Sequence, residues 1–364
     1  MTTSEPNRIP DPILHTVDNQ TPFRILQCDK MGPGRRFFDV VAIKGTFELQ
    51  PGTMSLSSAV TPFCVSDETW TPEDVERSSL KVAGEILLAK PTSDVYFTGS
   101  VRAPGERPCT KWDVAVVVRN DTKTLVSHAL TVTGPRVFQH SQVGGWELSD
   151  PAATERVPIR YELAYGGPRW LSASDPAARR RPAYRANPSG VGEFSGQPDK
   201  KVQYEAPQWH LPSEQVTQMN HPISPAGLGP IARHWSSRTR YAGTYDQAWR
   251  RAARTGPVDY PNDFNPLFFQ CAPRGLVSPH YFAGDEWLGI YNGWDSKTSL
   301  VSRLPGVALL ATLETASQQA TVRLPLDTVH VDLDAGKVNL IWRLTLSQDR
   351  GVKRCFLGLA SLGK

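Results

Sequence analysis

Short runs in which apolar side chains occupy every second position restrict the fold of this chain more than any other feature. The clearest run is KWDVAVVVRN at residues 111–120, and KTLVSHALTVTG follows it at residues 123–134. A period of two is typical of a strand with one buried face, and the intervening Asn120–Asp121 pair is typical of a tight turn. The two runs therefore predict an antiparallel hairpin.

Similar β-branched and aromatic runs lie in both halves of the chain. They cover residues 37–49, 94–104, 157–167, 306–314, 320–334 and 337–347, with a further turn at 334–336. The chain also holds 31 prolines and 28 glycines, which supply turns and loops between such runs. We predict a mainly β fold of antiparallel sheets or a sandwich, with a large loop-rich insertion pinned by aromatic side chains and a few short helices.

Composition divides the chain into four parts. Residues 1–20 predict an extended arm, residues 21–167 a β-rich part, and residues 301–364 strands that pack back on that part. Residues 168–300, called the loop layer below, are rich in Pro, Gly, Asn, Trp and Arg and have few periodic runs. Six of the ten tryptophans lie there. Because indole rings need burial, we expect this layer to be ordered.

Two short helices are expected. In TPEDVERSSLKVAGEILL, Thr71–Pro72 has the residue types of a helix N-terminus. In GTYDQAWRRAARTGP, Asp246 is a good N-cap and Gly256–Pro257 a good stop. A helix of roughly eight or nine residues is too short to persist alone, so Trp249 on its inner face would have to anchor it.

A set of polar residues and glycines is predicted to hold the loop layer to the sheet. Arg160 and Glu162 in RVPIRYELAYGG are two positions apart, so both should point to one side of a strand. They could pair with each other, or with Arg238 and Asp246. Gly166–Gly167 is predicted to permit positive φ where that strand ends. Three further residues belong to this predicted structural network. Asn187 would cap its own loop, Trp249 would anchor the short helix, and Asp263 would fix a turn beside a buried Phe.

The sequence shows none of the common motifs of catalytic, nucleotide-binding or metal-binding sites. It has no phosphate-binding loop, no nucleophile elbow and no His pair at metal-ligating spacing. The five cysteines are widely spaced, which argues for a reducing compartment, and no secretory signal is visible. We therefore expect a non-enzymatic, cytoplasmic bacterial protein with no catalytic residues, no cofactor, no metal and no membrane partner.

Arginine is concentrated in the loop layer. Residues 233–254 hold six arginines and one acid, Asp246, and ARRRPAYR at 178–185 adds four more arginines. This pattern could be a solvated face with local pairing, or a basic, aromatic surface for an acidic protein partner. Nucleic acid is disfavoured, because the net charge is only +4. The candidate partner-binding residues are Trp235, Arg238, Arg240, Tyr241 and Tyr245.

Several longer motifs follow one another in a recognisable order. They are VPIRYELAYGG, ANPSGVGEF, PAGLGPIARHWSSRTRYAGTYDQAW and YPNDFNPLFFQCAP, with EILLAKPTSDVYFTGSVRAP upstream. This succession, over about residues 20 to 310, resembles the DUF2169 family, which comprises accessory proteins of the bacterial type VI secretion system. The upstream segment is similar to that family's K-P-x-x-D strand segment.

The resemblance implies an adaptor or chaperone. Such a protein would hold a toxin effector or its PAAR region and help to load it onto the VgrG spike, so its partners would be a PAAR-domain protein, an effector or VgrG. The resemblance supplies no catalytic residues. Two alternatives stay open: a carbohydrate-binding or carbohydrate-active β protein, which Trp-lined loops would suit, and a structural component of the spike.

Overall fold

The computed structural model of the chain describes residues 14, 16–170, 184–195, 198–255, 259–294 and 299–361. Its fold is mainly β, with several antiparallel or mixed sheets and few short helices, which confirms the predicted fold class.

A five-stranded sheet forms the centre of the fold. Its strands, in spatial order, are Arg24–Met31, Phe37–Glu48, Lys337–Ser347, Leu326–Asp332 and Asp94–Thr98. The long strands Phe37–Glu48 and Lys337–Ser347 pair antiparallel along their whole length, so the last part of the chain completes the sheet begun by the first. The outer strand Asp94–Thr98 runs parallel to its neighbour.

The two faces of this sheet differ in chemistry. On one face, residues such as Val41, Ile43 and Phe47 enter the hydrophobic core. On the other face, polar side chains of four neighbouring strands stand together and are nevertheless buried. These are Lys44, Thr46, Asp94, Thr328, His330, Asn339 and Arg343. Because buried polar groups need partners, this charged face must be covered by segments that supply them.

The predicted hairpin of residues 111–134 is confirmed in a six-stranded sheet. Its strands, in spatial order, are Trp209–His210, Thr124–Thr133, Lys111–Arg119, Trp287–Tyr291, Ser299–Arg303 and Gly52–Thr53. In Lys111–Arg119 the buried positions alternate with more exposed ones, as the sequence pattern predicts. Trp287–Tyr291 pairs with that strand, so regular structure returns inside the range predicted to be irregular.

Smaller sheets complete the β structure. The four-stranded sheet contains Thr16–Asn19, Arg354–Ser361, Val307–Glu314 and Gln319–Arg323, and a three-stranded sheet contains Gly145–Leu148, Val137–Ser141 and Tyr204–Glu205. The two-stranded pairs are Arg156–Pro158 with Ser100–Arg102, Tyr165–Trp170 with Val191–Ser195, and Glu68–Thr69 with Leu80–Val82. Side chains from the five-, six- and four-stranded sheets share one hydrophobic core.

The helical segments are short. In the described ranges, the α-helices are Ser236–Thr239 and Gln247–Thr255; the 3₁₀ turns there are Pro33–Arg35, Pro72–Arg77, Pro104–Glu106, Tyr161–Leu163, Pro266–Phe269, Arg274–Leu276 and Gln348–Arg350. Within the described part of the chain, none of them has the length and apolar character needed to cross a bilayer.

The two helix predictions have opposite outcomes. The helix expected after Thr71 is wrong: a kinked 3₁₀ turn at Pro72–Arg77 gives way to the strand Leu80–Val82, and Thr71 makes no capping bond. The run carries the residue types of a helix start, but pairing of Leu80–Val82 with Glu68–Thr69 prevails locally. The helix Gln247–Thr255 is confirmed, whereas its predicted stop, Gly256–Pro257, lies outside the described residues.

Candidate functional site

A cleft of about 370 Å³ opens in the loop layer where the helix Ser236–Thr239 meets the turns Pro266–Phe269 and Arg274–Leu276. Three arginines line it, Arg238, Arg240 and Arg274, together with apolar and small polar residues: Ile231, Ser237, Tyr241, Leu267, Gln270, Ala272, Val277, Ser278 and Pro279. We call this site the arginine cleft. Its volume lies within the range of about 300–1,000 Å³ found for ligand sites.

Arg238 is the structural arginine of the cleft. It is only 5% exposed, and its guanidinium donates to the carbonyl of Ile231 at 2.8 Å and twice to that of Phe268, at 3.0 and 2.8 Å. The same group lies 5.4 Å from the centre of the Phe268 ring. Burial lowers the pKa of Arg238 from its usual value. The side chain thus joins two separate loop segments from inside.

Arg240 and Arg274 are exposed at the cleft. The guanidinium of Arg240 lies 4.8 Å from the centre of the Tyr241 ring, a cation–π contact that limits where the side chain points. The backbone carbonyl of Tyr241 accepts from Asn265 N–H at 2.9 Å, which fixes this residue against the next loop. The cleft therefore presents positive charge beside apolar surface.

A buried ion pair attaches the cleft loop to the central sheet. The carboxylate of Asp94 accepts from Lys90 Nζ at 2.6 Å and from the N–H groups of Cys271 and Ala272 at 2.8 and 3.2 Å. Lys90 also donates to Thr328 Oγ1 at 2.7 Å. Burial opposes the charge on Lys90, but the negative charges of nearby groups, Asp94 first, keep its pKa above the usual value. The segment that forms the cleft floor is therefore anchored to the sheet.

Backbone hydrogen bonds continue this attachment along the edge of the sheet. Ser278 N–H donates to Ser93 O at 2.9 Å, and Phe97 N–H donates to Leu228 O at 3.0 Å. Because an uncovered edge strand exposes unpaired backbone groups, the loop layer satisfies the outer edge of Asp94–Thr98.

Two more buried ion pairs lie on the charged face. Lys44 Nζ contacts Glu85 Oε1 at 2.6 Å, and Arg343 Nε contacts Asp327 Oδ2 at 2.7 Å, with every partner at most 3% exposed. On the same face, burial lowers the pKa of His330 to about 3, so its ring is neutral at physiological pH. The two ion pairs neutralise their own charges inside the protein, and none of their four residues lines the arginine cleft.

The cysteine beside the cleft is not poised for nucleophilic chemistry. Burial raises the pKa of the Cys271 thiol to about 12, which leaves it protonated at neutral pH. All five cysteines are free thiols. Among the residues that the structure describes, no group of three or more His, Cys, Asp or Glu side chains could hold a metal ion.

The candidate partner-binding residues are divided between interior and surface. Trp235 is 1% exposed and packs edge-on against Tyr161, with ring centres 5.2 Å apart, so the expectation that it is exposed is wrong. The same correction applies to Arg238. Arg240 and Tyr245 are exposed, and Tyr241 is half-buried. Of the five, the structure brings Arg238, Arg240 and Tyr241 together at the arginine cleft.

Tyr245 lies just before a second exposed feature, the helix Gln247–Thr255. Asp246 Oδ1 accepts from Trp249 N–H at 2.7 Å, as expected of an N-cap. Trp249 packs edge-on against Tyr245 at 4.6 Å and donates its indole N–H to Asp259 O at 2.8 Å. Trp249 is only partly buried, so the helix lies on the surface with no buried residue.

The predicted polar network is wrong as a single unit. Glu162 accepts from the N–H and hydroxyl of Ser79, at 2.8 and 2.5 Å, while the Arg160 guanidinium lies 6.0 Å from the centre of the Trp70 ring. The strand ends at Pro158 and Glu162 lies in a 3₁₀ turn, so the spacing of two does not place both side chains on one strand face. Arg238 and Asp246 bind the separate partners given above.

The glycine pair and Asn187 form one packed junction. Gly167 has φ 129°, as predicted for the pair, but Gly166 is required for another reason: an added Cβ would lie 2.0 Å from Asn187 O. The Asn187 amide donates to Tyr161 O and Tyr165 O, at 2.8 and 3.0 Å. Asn187 therefore joins two chain segments rather than capping its own loop, and the strand continues through the glycines as far as residue 170.

Asp263 fixes a long-range contact. Its carboxylate accepts from the N–H and hydroxyl of Thr244, at 2.8 and 2.7 Å, which ties the turn after Pro261 to the segment before the helix Gln247–Thr255. These hydrogen bonds from Thr244 lower the pKa of Asp263. The neighbouring Phe264 is half-buried rather than buried.

Lys90 and Asp94 are the residues that sequence reasoning missed. The signal was present, because both belong to AKPTSD, a motif quoted only for its family resemblance. A Lys and an Asp at the entry to an apolar strand could have been weighed as a buried pair.

Comparison with known proteins places the chain in one described group. The family described as "Uncharacterized protein conserved in bacteria (DUF2169)" matches residues 35–343. Neither the curated proteins nor the solved structures provide a significant match.

Proposed function

The chain belongs to the DUF2169 family, and we propose that it is a non-enzymatic adaptor or chaperone of a type VI secretion system. In this proposal it acts in the bacterial cytoplasm, binds a toxin effector or its PAAR region, and helps to load that cargo onto the VgrG spike. The cargo is a polypeptide, and the protein changes no covalent bond.

The observation that carries the proposal is the arginine cleft on a loop layer that is hydrogen-bonded to the central sheet. Arg240 and Arg274 offer charge at a surface whose backbone is held from beneath by Arg238 and Asp94. A binding surface built on a rigid support loses less conformational freedom on association, which favours recognition of another chain. The order of sequence motifs that resembles type VI accessory proteins supports the choice of partner.

The geometry supports a carbohydrate-binding role less well. Sugar binding by Trp-lined loops needs exposed indole faces, whereas Trp209 and Trp235 are each 1% exposed and no tryptophan is among the described residues that line the arginine cleft. Trp209 donates its indole N–H to Pro158 O at 3.0 Å, so this ring holds the loop layer to the β framework. The lining of the arginine cleft, within the described residues, also lacks the carboxylate pair that glycoside hydrolysis requires.

The test is co-expression with the PAAR protein or effector encoded beside this gene, followed by affinity purification of the tagged chain. We expect the cargo to be retained, and deletion of the gene to reduce cargo secretion while the spike itself still assembles. Failure of the two proteins to associate, together with undiminished secretion, would contradict the proposal. Recovery of this chain outside the cell with the spike would instead indicate a structural component.

A further inference from the structure

The arginine cleft carries an unbalanced charge. Three of its lining residues are arginines, and none of its described lining residues is Asp or Glu. The guanidinium of Arg238 donates to backbone carbonyls, which carry no net charge. Arg238 therefore adds a positive charge to the cleft that no carboxylate of the cleft lining neutralises. Positive charge held at an apolar concave surface favours an anionic ligand, because low-dielectric walls strengthen the attraction.

The two exposed arginines of the cleft have no carboxylate partner within the described part of the protein. Among the described residues, none of the ion pairs involves Arg240 or Arg274. Comparable partly exposed arginines do have carboxylate partners, in the pairs Arg233–Asp67, Arg303–Asp285 and Arg354–Glu314. The cleft therefore keeps two guanidinium groups available for an incoming acid.

The remaining lining is not that of a site for a small inorganic anion. Ile231, Leu267 and Val277 are partly buried and give the cleft an apolar wall. The hydroxyl of Ser237 is buried and has no hydrogen-bond partner within the described part of the protein. An apolar wall and two free guanidinium groups suit a ligand that is acidic and apolar at adjacent positions.

We propose that the arginine cleft binds an extended segment of the partner polypeptide in which Asp or Glu residues alternate with apolar residues. This inference rests on the proposed adaptor function and specifies the chemistry of the cargo that the adaptor recognises. Carboxylates of the segment pair with Arg240 and Arg274, since the planar guanidinium matches a carboxylate in bidentate geometry. An apolar side chain of the segment packs on the wall formed by Ile231, Leu267 and Val277.

The contact of Arg240 with Tyr241 prepares the site for this ligand. A guanidinium that already lies over an aromatic ring loses less side-chain freedom when it pairs with an acid. Because Arg238 and the anchored segment at Cys271 fix the backbone beneath, we expect the cleft residues to keep their positions with and without the ligand.

The experiment measures fluorescence polarisation of a labelled peptide in which Asp and Glu alternate with Leu, using the full-length protein. The double variant R240E/R274E is compared with R250E/R254E, which makes the same charge change on the exposed helix Gln247–Thr255. The milder R240Q/R274Q variant removes the two positive charges without adding negative ones, so it controls for a general effect of reversed charge. A second peptide replaces every Asp and Glu with Asn and Gln.

We expect R240E/R274E to weaken binding of the acidic peptide by at least about tenfold, because reversal replaces two attractions with two repulsions. R240Q/R274Q should weaken it less, R250E/R254E should bind like the unaltered protein, and the amide peptide should bind no variant. Binding should also decline in roughly 1 M salt, where charges are screened within about 3 Å.

Three results would overturn the inference: equal binding of the acidic and amide peptides, equal loss in R250E/R254E, or binding of inorganic phosphate alone in place of the peptide. The same variants in the cargo co-purification separate the two proposals. If the unaltered protein retains its cargo and R240E/R274E retains it equally, the adaptor function stands and the cleft assignment fails. If the unaltered protein retains no cargo, the adaptor function itself fails.

Discussion

Replacing Asp94 by Asn tests how the loop layer is attached to the central sheet. The carboxylate is fully buried, and one oxygen accepts from Lys90 while the other accepts from the N–H groups of Cys271 and Ala272. Asn keeps the size of the side chain but has only one acceptor oxygen. Its amide N–H₂ must therefore face a donor, and the ammonium of Lys90 loses its nearest negative charge.

The size of the effect follows from burial. Removing one partner of a buried ion pair costs about 3–5 kcal/mol, because the other charge stays in the interior without compensation. That cost is a large part of the roughly 5–15 kcal/mol free energy of unfolding of a typical domain. Adding Lys90→Met removes the stranded charge, so the double variant should cost about 1–3 kcal/mol less than the sum of the single variants.

The assay is urea unfolding followed by tryptophan fluorescence, with Glu314→Gln as the matched control. Glu314 pairs with Arg354 at 2.6 Å, but Arg354 is 61% exposed, so its loss should cost no more than about 1 kcal/mol. A cost below about 1 kcal/mol for Asp94→Asn, or strict additivity with Lys90→Met, would refute the role given to this pair.

Three further predictions concern stability. Burial lowers the pKa of His330 to about 3, against about 6.5 when unfolded, so the unfolded chain alone takes up a proton as the pH falls between these values. This group alone should lower the free energy of unfolding by about 2 kcal/mol between neutral pH and pH 5, and His330→Gln should remove that part of the slope in urea titrations. Trp235→Ala should cost about 3–5 kcal/mol in the same assay, whereas Tyr245→Ala, at a side chain 39% exposed, should cost about 0.5 kcal/mol. Gly166→Ala should lower the melting temperature strongly, because its Cβ would lie 2.0 Å from a backbone carbonyl oxygen; Gly358→Ala, with nothing within 4 Å, should leave the melting temperature nearly unchanged.

The strands were predictable from sequence because side-chain alternation is a local property. The run at 111–120 and the partner run at 123–134 show it, and the structure pairs them. The same alternation did not reveal that the polar face of the central sheet is buried. Lys44 and Arg343 occupy positions that usually face water, and a period of two shows which residues share a face but not what covers it.

The interior of the loop layer was less predictable for a related reason. Trp235 and Tyr245 lie in one Arg-rich, aromatic segment, yet the first is buried and the second exposed. Whether each side chain is buried depends on contacts with chain segments far away in sequence, such as the packing of Trp235 on Tyr161. The N-cap at Asp246 was predictable because its partner, Trp249, is only three residues away.

Amide hydrogen exchange of the free, full-length protein tests most directly whether the loop layer forms a fixed surface. The informative amides are those of Ile231, Cys271, Ala272 and Ser278, which donate to groups in the loop layer or on the sheet. We predict that they exchange as slowly as amides of the strand Phe37–Glu48. Exchange at the rate of an unstructured peptide would mean that no cleft exists before a partner arrives, and would contradict the account.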